Sequence, residues 1–161
     1  MILILNNYLD KIGKKKCLLQ SAALSFSADI LLVIYMAKVM IPKILSKDLV
    51  LTALKLQGLN PETLNPMYLQ ELISVMQISS YTMLAIFLLY NCVIYFFLTR
   101  SKKWALTYIK GYAFSAAILS VFEFIAPLFS NYRPGFITAI TFIMYLITFY
   151  MLRRLKQSEE K

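Results

Sequence analysis

Histidine is absent from this sequence, and other residues that build catalytic or metal sites are scarce. Without histidine there are no imidazole metal ligands, no His-ligated haem and no His-based triads. Two cysteines cannot form a Cys₄ zinc or iron–sulfur site. Four glycines leave no Gly-rich nucleotide loop. We therefore expect no catalytic residues, no bound metal and no cofactor.

Charged residues are also few, at 16% of 161 residues, whereas 60% are hydrophobic. A soluble domain has about 25% charged and about 45–50% apolar residues. The apolar excess lies in four long blocks, which indicates an all-α polytopic membrane protein. The composition excludes a disordered chain, a collagen-like repeat and an ordinary water-soluble enzyme.

The apolar blocks predict a single membrane domain, residues 1–161, built as a four-transmembrane-helix bundle. The expected spans are about residues 17–41, 72–98, 104–129 and 136–152. Residues 1–16 carry apolar side chains at helical spacing and predict an interfacial amphipathic helix. Residues 42–71 predict an extracytoplasmic loop with a short helix, followed by a helical lead-in to the second span.

Capping signals place the helices of that loop. Ser46 is a suitable N-cap for a short helix that Gly58 would end. The pair Asn60-Pro61 should open a single turn, and Asn65-Pro66 should open the second long helix. The loop is rich in apolar residues, so we expect the following to face protein or the interface: Leu49, Val50, Leu54 and Leu56.

The net charge of +9 comes from basic residues that lie in short runs at the ends of apolar blocks. This distribution is typical of membrane topology signals and not of nucleic-acid binding. One side would carry eleven basic residues: Lys11, Lys14, Lys15, Lys16, Arg100, Lys102, Lys103, Arg153, Arg154, Lys156 and Lys161. The other would carry five: Lys38, Lys43, Lys47, Lys55 and Arg133. The positive-inside rule then places both termini in the cytoplasm, and we expect a bacterial inner membrane.

Asp29 is the ionisable residue closest to mid-membrane. It lies about 18 Å into the first span at 1.5 Å per residue. Ser21, Ser25 and Asp29 share one helix face, which should point into the protein and away from lipid. Two interpretations stay open: a proton or cation site, or a structural carboxyl that is neutral or bonded to Tyr, Ser or Asn of another helix.

Glu123 is a second intramembrane carboxyl, with Ser120 and Tyr112 on its helix face. Gln77 should lie at a similar depth on the second span, and Lys38 could reach down from the end of the first. A Glu123–Gln77–Lys38 cluster is therefore geometrically allowed. It would be either a structural hydrogen-bond network or a site for transport or binding.

Lys110 lies six residues past Trp104, so its side chain should extend to the cytoplasmic headgroups. The alternative is a phosphate site formed with Arg100, Lys102 and Lys103. The same four residues would favour anionic lipid headgroups on the cytoplasmic side of the bilayer.

Polar and small residues on three spans are expected to join helices. Asn91 and Tyr95 give the second span a polar face. The third carries two small-residue motifs, Gly111-x-x-x-Ser115 and Ala113-x-x-x-Ala117. The fourth has a polar face made of Thr138, Thr141, Tyr145 and Thr148.

Three functions fit these features. The first is a non-enzymatic accessory, assembly or partner-binding subunit that docks a membrane-protein partner or a second copy of itself. The alternative is a small oligomeric proton- or cation-coupled transporter or channel that uses Asp29 and Glu123. The third is a membrane enzyme acting on a lipid-linked substrate, which ranks last because no nucleophile–base pair can be assembled from the spacing.

Overall fold

The computed structural model describes residues 12–58, 65–125 and 136–159, and it leaves out the side chains of residues 120, 123–125 and 156–159. Helix accounts for 92% of what is described, and no strand occurs there. The predicted all-α class is confirmed for these residues. The helices, in chain order, are α1 (Lys14–Ile44), α2 (Lys47–Leu56), α3 (Pro66–Thr99), α4 (Lys103–Ile125) and α5 (Phe136–Glu159).

Among the described residues, three helices are long and apolar enough to cross a membrane: α1, α3 and the Phe136–Leu155 part of α5. These helices are compatible with a membrane protein. Helix α4 corresponds to the third predicted span and carries Lys110 in its first half. It is not among the three candidates, so the four-helix membrane bundle stays a prediction.

The beginning of α1 differs from the expected boundary. Its first turn consists of Lys14, Lys15 and Lys16, which the sequence analysis placed in the interfacial helix. Ile12 and Gly13 are not helical. The rest of the predicted interfacial helix, residues 1–11, lies outside the described residues.

Helix α1 widens into a π-helix over Met36–Met40 before it continues as α-helix to Ile44. The Ile41 N–H bonds the Met36 carbonyl, five residues back. Pro42 follows at once, and a proline has no N–H and crowds the carbonyl four residues before it. A wider turn ahead of Pro42 relieves that crowding, so we attribute the π-segment to the proline.

The predicted caps have mixed outcomes. The Asn65 side-chain oxygen accepts the Met67 N–H at 3.0 Å, which confirms Asn65 as the cap of α3. Gly58 has φ +79°, a left-handed conformation suited to glycine just past α2. Ser46 is the N-cap of α2, but its hydroxyl makes no capping bond, so that detail was wrong. The predicted turn at Asn60 lies outside the described residues.

The turn between α3 and α4 is a Schellman motif. The Ser101 N–H bonds the Leu98 carbonyl at 2.9 Å, and the Lys102 N–H bonds the Phe97 carbonyl at 3.2 Å. Ser101 has φ 59°, the left-handed conformation that this motif requires. Serine therefore occupies a position where glycine has no steric cost.

The chain divides into two compact units. In the second, residues 33–89, the described part has few buried apolar side chains, namely Tyr35, Ile41, Leu45, Val50 and Leu69. Of the apolar residues in α2, Val50 is buried and Leu54 is half-buried, whereas Leu49 and Leu56 are exposed. The expectation for the loop helix therefore holds for one side of α2 only.

The first unit combines residues 1–32 with 90–161, and its described residues form two apolar clusters. The larger joins all four of its helices and includes Leu18, Ala22, Ile94, Leu98, Ala105, Ile109 and Leu152. The smaller packs Ala113 and Ala117 of α4 against Ala28 and Tyr145. A Cβ at Gly111 would meet nothing within 4 Å, so the alanine pair, and not Gly111, allows close helix packing.

Candidate functional site

The carboxylate of Asp29 lies at the centre of a buried polar cluster in the first unit. Its side chain is 0% exposed. Oδ2 accepts the Asn91 amide at 2.9 Å and the Tyr95 hydroxyl at 2.5 Å. Oδ1 accepts the hydroxyls of Tyr112 at 2.7 Å and Tyr145 at 2.6 Å. These five residues are called the Asp29 cluster below.

Three helices supply the donors that surround Asp29 of α1. Asn91 and Tyr95 are four residues apart on α3, so both point to the same side of that helix. Tyr112 comes from α4 and Tyr145 from α5. Interhelical hydrogen bonds of this kind join helices in membranes, and this cluster ties α1 to every other helix of its unit.

The electrostatics of the cluster are unusual because all four donors are neutral side chains. An ionised carboxylate has about four acceptor sites, and here each oxygen receives two hydrogen bonds. Burial of a charge is costly unless it is hydrogen-bonded or paired. In the described part of the chain, hydrogen bonds alone meet that requirement.

The Asp29 cluster has one more polar contact than it has donor protons when Asp29 is ionised. The hydroxyls of Tyr112 and Tyr145 are 3.2 Å apart, so the cluster contains five polar contacts. With Asp29 ionised, four donor protons serve these five contacts. With a proton on Oδ1, each contact has one: Asp29 donates to Tyr112, Tyr112 to Tyr145, and Tyr145 back to Asp29. The geometry therefore accommodates either form and can hold one further proton.

Other polar groups extend the cluster. One turn before Asp29, the Ser25 hydroxyl donates to the Thr148 hydroxyl at 3.2 Å, and both are buried. Ser21, a further turn away, is buried as well. The Asn91 amide oxygen is buried and has no hydrogen-bond partner among the described residues. This oxygen is a spare acceptor beside the carboxylate.

A row of aromatic rings runs from the cluster to the surface. The rings of Tyr145 and Tyr112 are 5.6 Å apart, those of Tyr112 and Tyr108 are 6.3 Å apart, and those of Tyr108 and Tyr90 are 5.9 Å apart. Tyr90 and Tyr108 are exposed. Tyr112 alone among the five cluster members is partly exposed, so this row is the side on which the cluster approaches the surface.

The predicted Glu123–Gln77–Lys38 cluster is not tested. Gln77 is half-buried and Lys38 is exposed in the π-segment, both in the second unit. No hydrogen bond joins these two side chains in the described part. The backbone of Glu123 lies in α4, but its side chain is outside the described residues.

The predicted basic residues lie near the α3–α4 turn. Arg100, Lys102 and Lys103 are exposed, and Lys110 of α4 is half-buried. The guanidinium of Arg100 lies 4.2 Å from the centre of the Phe96 ring. This contact is within the range of a cation–π interaction and gives Arg100 a defined position.

Sequence reasoning missed how the tyrosines combine. Tyr112 was assigned to the face of Glu123, and Tyr145 was only one member of a polar face on the fourth span. The structure buries Asp29, Asn91, Ser25 and Ser21, and it brings the Asn91 amide and three tyrosine hydroxyls to the Asp29 carboxylate. The signal was only partial. Asp29 lies 13 residues from Lys16, whereas the three tyrosines lie five to nine residues from the basic ends of their own helices.

The chain was compared with protein families, curated proteins and solved structures. No protein-family model matches it, and no curated protein and no solved structure matches it.

Proposed function

We propose that this chain is a multi-pass integral membrane protein and a non-enzymatic accessory, assembly or partner-binding subunit. Its four long helices would cross a bacterial inner membrane with both termini in the cytoplasm. The Asp29 cluster would be the structural centre, since its carboxylate is enclosed and both oxygens are fully engaged. The proposed binding of a partner rests on the exposed apolar surface at the start of α3.

Helix α3 is longer than a membrane requires. Its 34 residues span about 51 Å at 1.5 Å per residue, and the hydrocarbon core is about 30 Å thick. With Arg100 at the cytoplasmic headgroups, about 20 residues cross the core. Residues 66–78 would then project beyond it, unless the helix tilts strongly.

The projecting segment exposes several large apolar side chains, together with the polar Gln70, Glu71 and Ser74. Met67 is 67% exposed, Val75 is 60% and Ile78 is 66%. Together with exposed Tyr68 and Leu72 they form a patch that we call the docking face. Contiguous exposed apolar residues outside lipid mark protein interaction sites. We therefore expect a partner protein to cover the docking face.

Charge favours a different protein over a second copy. Residues 33–89 hold four lysines, Lys38, Lys43, Lys47 and Lys55, against three acids, Asp48, Glu62 and Glu71, which is a net charge of +1. A second copy would bring like charges together, which costs energy at an interface. The expected partner is a membrane protein whose extracytoplasmic rim is acidic.

A site-specific photo-crosslinker tests this proposal in intact cells. Placed at Val75, it should yield one discrete adduct with another protein, identified by mass spectrometry. Placed at Leu89, which is also exposed but deeper along α3, it should yield lipid adducts only. With the crosslinker placed at Met67, Val75→Glu should abolish the protein adduct. Gln70→Glu adds the same charge on another side of α3 and should preserve that adduct.

Three results would overturn the docking proposal. They are lipid adducts alone at Val75, an adduct only with a second copy of the chain, and a protein adduct that survives Val75→Glu. A partner without an acidic extracytoplasmic surface would contradict the charge argument.

A second candidate is proton- or cation-coupled transport by an oligomer. It is favoured by the extra proton that the Asp29 cluster accommodates and by the spare amide oxygen of Asn91. Protein in liposomes should then conduct protons or sodium ions, and Asp29→Asn should stop that flux without loss of the fold. Glu123→Gln tests the second carboxyl in the same assay. Flux that persists in both variants would exclude transport through these residues.

A further inference from the structure

An apolar groove of about 280 Å³ lies between α1 and α3 within the first unit. It is lined by Leu19, Ala23 and Phe26 on one side and by Cys92, Phe96 and Thr99 on the other. Each side covers eight residues, or about 10 Å along its helix. The groove is open and almost wholly apolar, which suits a hydrocarbon chain.

A second cavity of about 390 Å³ is lined by Gly13, Lys15, Lys16 and Leu19. Leu19 lines both cavities, so the basic cavity adjoins the apolar groove. Lys15 and Lys16 are exposed in the first turn of α1. The groove therefore has an apolar body and a basic end.

Arg100 adds a third cation at that end. Its guanidinium lies 4.2 Å from the centre of the Phe96 ring, and Phe96 itself lines the groove. A guanidinium that packs on an aromatic face keeps its donors directed outward, and it binds phosphate in a bidentate manner.

We propose that this groove binds one anionic glycerophospholipid. An acyl chain occupies the space between Leu19, Ala23 and Phe96, and the phosphate contacts Lys15, Lys16 and Arg100. A hydrocarbon chain joined to an anion matches a groove whose apolar body meets three cations at one end. A transmembrane helix of a partner would not explain the cations, and free phosphate would not explain the groove. The inference rests on the proposed membrane location, but it does not depend on the docking face.

Native mass spectrometry of the purified full chain in mild detergent tests the site. Phosphatidylglycerol and phosphatidylcholine with identical acyl chains are added in equal amounts. One bound phosphatidylglycerol should dominate. Each cation near a membrane surface contributes about fivefold to binding, so Lys15→Gln, Lys16→Gln and Arg100→Gln together should lower its occupancy at least tenfold.

The matched control removes the same charge elsewhere. Lys38→Gln, Lys47→Gln and Lys55→Gln together should leave the occupancy unchanged, because these exposed lysines line neither the groove nor the basic cavity. An equal loss in both triple variants would show general electrostatic attraction and overturn the site. Equal binding of the two lipids by the unmodified chain would overturn it as well.

The apolar half of the site has its own test. Ala23→Phe fills the groove and should lower binding of both lipids at least fivefold, whereas Ala85→Phe, an exposed alanine elsewhere on α3, should not. Because Ala23→Phe could disturb folding, Cys92 offers a second route. It is exposed and lines the groove, so a bulky maleimide on the folded protein should give the same loss.

Two outcomes would contradict a lipid in the groove. Binding that survives both Ala23→Phe and modification of Cys92 would place the acyl chain elsewhere. Glycerol phosphate that displaces the lipid at equal concentration would reduce the site to a headgroup contact. Crosslinking from Val75 reports on the docking face separately, so a failure of one proposal is distinguishable from a failure of the other.

Discussion

Replacing Asp29 by leucine removes the acceptor of four hydrogen bonds at once. Tyr112 and Tyr145 are 3.2 Å apart and can recover one bond between themselves. Three donors then stay buried without an acceptor: the Asn91 amide, the Tyr95 hydroxyl and one of the other two hydroxyls. Interhelical hydrogen bonds in membranes average about 0.6 kcal/mol and reach about 1.7 kcal/mol. Asp29→Leu should therefore lower the free energy of unfolding by about 2–5 kcal/mol.

Asp29→Asn should cost less, about 1–2 kcal/mol, because most contacts can be rearranged and one donor, the turned NH₂ group of Asn91, loses its acceptor. The amide oxygen can accept the hydroxyls of Tyr112 and Tyr145. The new NH₂ group would face the NH₂ of Asn91, but the Asn91 amide can turn and present its spare oxygen instead. Tyr95 can accept the remaining proton through its hydroxyl oxygen.

Unfolding in mixed micelles, followed by circular dichroism as a denaturing detergent is added, measures both variants. The double variant Asp29→Asn with Asn91→Leu removes the amide that turns, and it should lose more than the two single changes added together. Leucine at position 29 with the stability of the original chain would refute the reasoning. So would an asparagine variant as unstable as the leucine variant.

Three further predictions concern single features. Tyr145→Phe removes one donor from Asp29 and should lower the free energy of unfolding by about 0.6–1.7 kcal/mol. Tyr68→Phe, on the exposed start of α3, should have no effect. Equal effects of the two changes would show that the Tyr145 hydroxyl does not stabilise the fold. Ser101→Gly should raise the free energy of unfolding by about 0.5–1 kcal/mol. The left-handed conformation costs residues other than glycine about 1–2 kcal/mol, and glycine loses part of that gain in backbone entropy. A glycine variant less stable than the original chain would contradict the turn geometry. The topology is tested by single cysteines in a background without Cys17 and Cys92. A cysteine in place of Gln57 should react with a membrane-impermeant maleimide from outside intact cells, whereas one in place of Lys102 should react only after permeabilisation. The reverse labelling pattern would show that the topology is inverted.

The helices could be predicted from the sequence because their signals are local. Long apolar runs set the length of α1, α3 and α5, and the Asn65-Pro66 pair set the beginning of α3. The π-segment was missed because its cause, Pro42, looked like the end of a helix. A proline can end a helix or deform it, and the surrounding packing decides between the two.

The candidate site was predictable only in part. Helical spacing placed Ser21, Ser25 and Asp29 on one face, and the structure buries all three. Spacing cannot tell which helix faces that side. Tyr112 was therefore grouped with Glu123 on its own helix, whereas its hydroxyl reaches Asp29 on another. A tyrosine side chain is long enough to bridge helices, so its partner depends on the three-dimensional arrangement.

The Asp29 cluster also has a consequence for biosynthesis. Asp29 lies on the first helix, and its last donor, Tyr145, follows 116 residues later. At about 5–20 residues per second, the ribosome takes about 6–23 s to cover that distance. In the proposed membrane topology, the carboxylate has by then entered the bilayer without its full set of donors. Any factor that recognises a poorly satisfied polar residue in a nascent membrane helix would bind α1 in this interval, and the arrival of α5 would end that exposure.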